Sequence, residues 1–174
     1  MYERPEGVAT EPGSLVVYDL ERNEARRGEG RVSGPALVWE LGGEDPNAAL
    51  AVDVGLDPRA DWIVRCDRVD FPPEGVAHRH VHPGPGIRRL LLGSLTIDAP
   101  AGTRTIKPGQ AWFETIDEPV LATASPNEDT AFVRVLLLPA EWAGKRTIRY
   151  LDPADEEKPK LQRATVLLEE PLAL

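Results

Sequence analysis

His78-Arg79-His80-Val81-His82 is followed by Pro83-Gly84-Pro85-Gly86, then Ile87-Arg88-Arg89-Leu90-Leu91-Leu92, then Gly93 and Ser94-Leu95-Thr96-Ile97. The punctuation reads as a strand, a Pro/Gly turn, an aliphatic strand, a glycine turn and another strand. Residues 106–114, Ile106-Lys107-Pro108-Gly109-Gln110-Ala111-Trp112-Phe113-Glu114, repeat the turn-then-strand pattern. All three histidines of the chain fall within the first five residues of the stretch. Side chains two apart on a strand share a face, so this spacing predicts three imidazoles on one side. Imidazole is the commonest metal ligand near neutral pH and the commonest general acid–base group. Neighbouring members lie about 7 Å apart at the backbone. Such a pair can converge on one ion at about 2.0–2.1 Å. The outer pair, about 13 Å apart, is near the limit of reach. One ion therefore takes an adjacent pair, and further ligands must come from another strand.

The same rhythm extends in both directions. Short β-branched and aliphatic runs occur at 14–19, 36–41, 62–71, 78–82, 88–92, 94–98, 103–107, 111–114, 120–125 and 130–138, with further candidates at 147–150 and 163–169. Seventeen prolines and fifteen glycines separate them. Many short strands with turn signals between them predict an all-β sandwich or barrel. No long 3.6-residue apolar period is present. Residues 47–52 and 139–144 are expected to form single helical turns, and 22–34 and 152–160 polar loops. With no repeat and no linker, residues 1–174 read as one domain: a core at about 62–140, N-terminal strands at 12–60 and a C-terminal extension at 141–174.

The formal charge is −9, from 29 acidic and 20 basic side chains. That field repels phosphate backbones and argues against nucleic acid as a partner. Cys66 is the only cysteine, so no intrachain disulfide forms, and its place in an apolar strand predicts a buried, inert thiol. The first residues hold no apolar signal core and no run approaches membrane-spanning length. A cytoplasmic location with no membrane partner is expected.

The central stretch resembles the cupin superfamily, whose first motif is Gly-x5-His-x-His-x3-4-Glu-x6-Gly. His80-x-His82, three residues, Gly86, six residues and Gly93 reproduce its spacing, with Gly75 one residue closer than the motif asks. Gly109 fits the start of the second motif, Gly-x5-Pro-x-Gly-x2-His-x3-Asn. Thr115, Asp117, Val120 and Ala124 stand at its proline, glycine, histidine and asparagine positions. The His-Pro-Gly-Pro-Gly run with Trp112-Phe113-Glu114 is similar to one cupin subgroup. The resemblance covers about residues 71–138. It implies a jelly-roll barrel with an interior site, and commonly a three-histidine, one-glutamate metal centre. Here Gly86 and Val120 occupy two of those four ligand positions.

A two-histidine, one-carboxylate set of His80, His82 and a residue of the second-motif region would suit a divalent transition metal such as iron, manganese, nickel or zinc. Glu114 ends a predicted strand and is the preferred third ligand; Asp117, Glu118 and His78 are the alternatives. His78, Arg88 and Trp112 are expected at the pocket; Arg88 and Arg89 alternate on their strand, so one of them faces inward, where an arginine would suit a carboxylate. Three readings follow: a metal-dependent oxygenase, isomerase or lyase acting on a small organic molecule; a metal-free barrel that binds or senses one; or a structural barrel with a vestigial pocket. Strand edges at the N-terminal side predict a homodimer.

Overall fold

The computed structural model describes residues 1–13, 15–43 and 46–173. The chain divides into two compact units, residues 1–57 and 58–173.

The smaller unit is built from six short strands: β1 (Tyr2–Arg4), β2 (Val8–Thr10), β3 (Leu15–Asp19), β4 (Glu24–Arg27), β5 (Gly30–Val32) and β6 (Ala36–Glu40). They form a four-stranded sheet in the order β1-β6-β3-β4 and a two-stranded sheet β2-β5. The runs expected at 14–19 and 36–41 correspond to β3 and β6, with Ser14 itself outside the described residues. Residues 22–34, expected as a loop, instead hold β4 and β5. The reason is local chemistry. The Asp19 carboxylate accepts from the backbone N–H groups of Glu21 and Arg22, and Asn23 takes a positive φ of 56°, which closes a tight hairpin from β3 to β4. Because β4 is a charged edge strand bonded on one side only, its sequence carries no apolar alternation. The helical turn expected at 47–52 is also absent. The N-terminal ammonium donates to the Leu50 carbonyl, and the N–H groups of Ala49 and Leu50 donate to the Met1 carbonyl, which uses the groups a helix would need.

The larger unit comprises β7 (Trp62–Phe71), β8 (Val76–Val81), β9 (Gly86–Leu92), β10 (Leu95–Ala99), β11 (Gly102–Ile106), β12 (Ala111–Glu114), β13 (Val120–Ala124), β14 (Thr130–Pro139), β15 (Arg149–Tyr150) and β16 (Arg163–Leu172). Its two antiparallel sheets have the orders β12-β9-β14-β7-β16 and β11-β10-β13-β8-β15. The pairs β7·β14, β8·β13, β9·β12 and β10·β11 are nested, as in one long hairpin rolled into two sheets. This is jelly-roll topology. The C-terminal extension adds β15 to β8 and β16 to β7. A 3₁₀ turn at Ala140–Trp142 falls within the expected 139–144 segment, and another, Pro153–Glu156, lies in the expected polar loop.

Apolar side chains of both sheets meet between them: Phe71, Leu90, Leu95, Ile97, Trp112 and Phe132 are all buried. Phe132 stacks edge-on against Trp112, with centroids 5.2 Å apart. The turn from β9 to β10 depends on Gly93, whose φ is +73° and where a Cβ would lie 2.4 Å from the Asp129 carbonyl oxygen. No helix among the described residues is long and apolar enough to cross a membrane. Cys66 is fully buried and burial pushes its thiol up, so it is unreactive at neutral pH.

Candidate functional site in the barrel

One row of residues across the first sheet places charge inside the barrel. Trp112 on β12 pairs with Arg88 on β9, Arg88 with Arg134 on β14, and Arg134 with Asp67 on β7. Two arginines directly opposite on neighbouring strands repel unless neutralised. Each has a carboxylate. Arg134 donates to Asp67 Oδ2 through Nε at 3.0 Å and Nη2 at 2.8 Å. Arg88 Nη2 lies 2.7 Å from Glu114 Oε2, two residues along β12 from Trp112. The latter contact is charge to charge: neither atom completes an aligned hydrogen bond, and both are buried. Glu114 Oε1 accepts from the Trp112 indole N–H at 2.8 Å. Burial draws Arg88 down to about 10, still well above neutrality, so it remains a cation.

The opposite sheet brings His80 and His82 against this row. Both are buried and line the same cavity as Arg88, Trp112, Glu114 and Arg134. Their orientation is fixed from behind. The Nδ1 of His80 lies 2.7 Å from the His78 carbonyl oxygen, and that of His82 lies 2.7 Å from the Thr147 carbonyl oxygen. A carbonyl only accepts, so each Nδ1 carries the proton and each Nε2 presents a lone pair. The two Nε2 atoms face each other at 3.2 Å. Burial holds His80 down to about 4, with the Arg134 and Arg88 cations adding to the shift, while Glu114 opposes it. His82 is held well below its ordinary value, first by burial and then by Arg134. Both rings are therefore neutral near pH 7, and two lone pairs converge with no proton between them.

That arrangement is the one that ligating imidazoles adopt, each ring anchored through its far nitrogen by an acceptor. A 3.2 Å edge is also what two nitrogens span when each is about 2.0–2.1 Å from a common ion. On this pair the donor chemistry fits a divalent metal. Glu114 is less well disposed. Its Oε2 is 3.7 Å from His82 Nε2 but is engaged by Arg88. Among the described residues no group of three or more His, Cys, Asp or Glu side chains is gathered to hold a metal by itself. Arg134 Nη1 also approaches His82 Nε2, at 3.5 Å.

His78 does not line this cavity. The register explains why. On β8, His80 pairs with Val120 and Ala77 with Ala122, so His78 and Arg79 together oppose the single residue Leu121 of β13. This β-bulge at His78-Arg79 rotates His78 off the face that Ala77, His80 and His82 share. Arg79 points outward and ion-pairs with Asp98. Val81 does not line the cavity either, but it is buried rather than solvent-facing. Asp117 is exposed and pairs with Arg149, far from a ligand's role. Glu118 accepts from the Thr115 backbone N–H at 3.3 Å and reaches the site as a charge felt by Arg88. Gly86 and Val120, at the two vacant cupin ligand positions, are both buried. A Cβ on Gly86 would stand 2.4 Å from the Val135 carbonyl oxygen, so close strand packing excludes any side chain there.

Two members of the site are not evident from motif spacing. Arg134 is the single charge of the long apolar strand β14, and that oddity was the available signal; Asp67 shares β7 with Arg65, Arg68 and Asp70, so nothing in the sequence singles it out.

No family model matches the sequence, and no curated protein matches it. Among solved structures the chain is similar to the polyketide cyclase RemF from Streptomyces resistomycificus, with 20% identity over 53% of this chain and 62% of that one, TM-score 0.42. It is similar to an RmlC-like cupin from Shewanella frigidimarina, with 12% identity over 45% of this chain and 68% of that one, TM-score 0.40. A third likeness is to the DMSP lyase DddQ from Ruegeria pomeroyi, with 18% identity over 52% of this chain and 44% of that one, TM-score 0.44. The fold is an antiparallel jelly roll, the fold that the cupin resemblance of residues 71–138 implies. Its nested strand order carries that assignment, with His80 on β8, His82 just past its end and Gly93 in the turn from β9 to β10.

Proposed function

We propose that the larger unit is a small-molecule cupin whose His80/His82 pair holds a divalent transition metal, iron, manganese, nickel or zinc, at the polar end of the barrel. The observation that supports this reading is the pair of opposed Nε2 lone pairs at 3.2 Å, each ring locked in that tautomer by a backbone carbonyl. Such an ion supplies Lewis acidity to an oxygen atom of a bound molecule. The protein's own contribution is positional. Arg88 and Arg134 offer buried positive charge to a developing anion, and Glu114 Oε2, buried with no hydrogen-bond partner, offers an acceptor for a substrate proton. Ligand positions left open by Gly86 and Val120 would fall to water or substrate. An enzyme of the oxygenase, isomerase or lyase class is the reading this favours.

A metal-free binding barrel is the second reading. It draws on Arg134 Nη1, which at 3.5 Å can partly satisfy His82 Nε2, and on the engagement of Glu114 by Arg88. Titration of chelator-treated protein with zinc and manganese separates the two. The metal reading expects one equivalent bound by the wild type and none by His80→Ala or His82→Ala. Because Glu114 is held by Arg88, Glu114→Gln should weaken binding without abolishing it. A wild type that takes up no metal supports the metal-free barrel.

A further inference from the structure

The cavity at the histidine pair is small, about 40 Å³. It accommodates an ion and a polar end of a ligand, not a whole organic molecule. A second cavity of about 350 Å³ adjoins it, and Arg134, Ile148, Gln162 and Ala164 line both. Its size is within the usual range of ligand sites, about 300–1,000 Å³. Its walls come from β7, β14, β16 and the segment before β15.

The charge of this outer cavity is opposite to that of the chain. The whole sequence carries −9, yet Arg65, Arg134, Lys145, Arg146 and Lys160 line the cavity against Asp67 alone. The cations divide into two groups. Arg65 is saturated by Glu169 and by the carbonyls of Trp142 and Lys145, and Arg134 by Asp67 and Thr147, so both act through their field. Lys145 and Arg146 are exposed at the mouth; the Arg146–Glu156 pair is long, 3.4 Å, and half exposed. Lys160 and Arg146 sit over the Tyr150 ring at 4.2 and 5.0 Å, which fixes cationic groups at the rim. At the inner end, Gln162 donates its amide N–H to the Tyr150 hydroxyl at 3.3 Å, leaving its buried amide oxygen without a hydrogen-bond partner. Asp67 Oδ1 is likewise buried and without one. A cavity with cations at the mouth and unmet acceptors at the back is complementary to a molecule with an anionic head and a hydroxyl donor.

We infer that this basic cavity is where the organic ligand lies, and that the ligand is a small hydroxylated carboxylate. Its carboxylate faces Lys145, Arg146 and Lys160, and its hydroxyl faces Gln162 and Asp67, next to Arg134 and the histidine pair. The inference rests on the small-molecule reading above, but not on metal occupancy.

The test uses the full chain at low ionic strength, followed by amide proton–nitrogen NMR shifts. The probes are lactate, mandelate and salicylate. Each is compared with its primary amide, which removes the charge, and with its deoxy acid, which removes the hydroxyl. At least one hydroxy acid should bind and shift Thr147 and Gln162, with its amide and its deoxy acid each about fivefold weaker or more. Lys145→Gln with Arg146→Gln, both at exposed positions, should weaken the hydroxy acid by about fivefold and leave its amide unchanged. The inference is overturned if no acid binds, if amide or deoxy acid binds equally well, or if the double variant matches the wild type. Failure of the metal reading is seen separately. Zinc uptake would then be absent while the carboxylate shifts persist in wild type, His80→Ala and His82→Ala alike.

Discussion

At the residue scale, the interior of this barrel is a balanced set of charges around two neutral rings. Arg88 and Arg134 are offset by Glu114 and Asp67. His80 and His82 stay neutral because burial and the arginines oppose protonation. This has a pH consequence in metal-free protein. The folded-state pKa of both histidines lies below the unfolded value of about 6.5. Between there and about 4, the value to which His80 is held, the unfolded chain binds more protons than the folded one. Their contribution to stability is complete above about pH 6.5 and is lost as the pH falls toward 4. Urea midpoints in the presence of chelator should drop across that window. The drop should be shallower in a His80→Gln, His82→Gln double variant. Parallel curves for the two proteins would show that the rings do not carry this effect.

At the element scale, the register of β8 and β9 decides which side chains reach the site. Gly86 stands where the cupin resemblance implies glutamate, but its Cβ position meets the backbone of β14. Gly86→Glu should therefore cost about 3 kcal/mol or more and create no ligand. Val120 faces the cavity and is the cross-strand partner of His80. Val120→His should place a third imidazole beside the pair and tighten zinc binding about tenfold or more. Calorimetric zinc titration and a urea curve on each variant check both outcomes; a well-folded Gly86→Glu protein would contradict the packing. The all-β class was legible in the sequence because Pro/Gly punctuation and aliphatic runs mark β7 to β14 directly, and the resemblance to cupin motifs narrowed it to a jelly roll. Period-two spacing placed His80 and His82 on one face and one of Arg88 and Arg89 inward; that Trp112 and Glu114 line the same cavity is a result of the register. The position of His78 was not legible, since the bulge that turns it away contains no glycine and leaves no mark in a period-two pattern. Neither were β4 and β5, whose edge positions need no apolar face. Arg134 and Asp67 look like surface charges until register brings them into one row.

At the scale of the whole molecule, the larger unit leaves β16 at the edge of its sheet, with Val166 53% exposed on it. Open edges with exposed apolar residues are usually covered, and two-fold pairing is the commonest way. We expect a homodimer. Light scattering at micromolar concentration should give about twice the chain mass of 19.1 kDa. A wild type that scatters as a single chain would refute the expectation.

The central claim is that His80 and His82 meet lone pair to lone pair. Long-range proton–nitrogen NMR of the ring nitrogens, on chelator-treated protein at pH 7, reads this directly. The account predicts a protonated Nδ1 and an unprotonated Nε2 in both rings, with the two Nε2 resonances moving together when zinc is added. A protonated Nε2 on either ring, or zinc that leaves both unchanged, would contradict it.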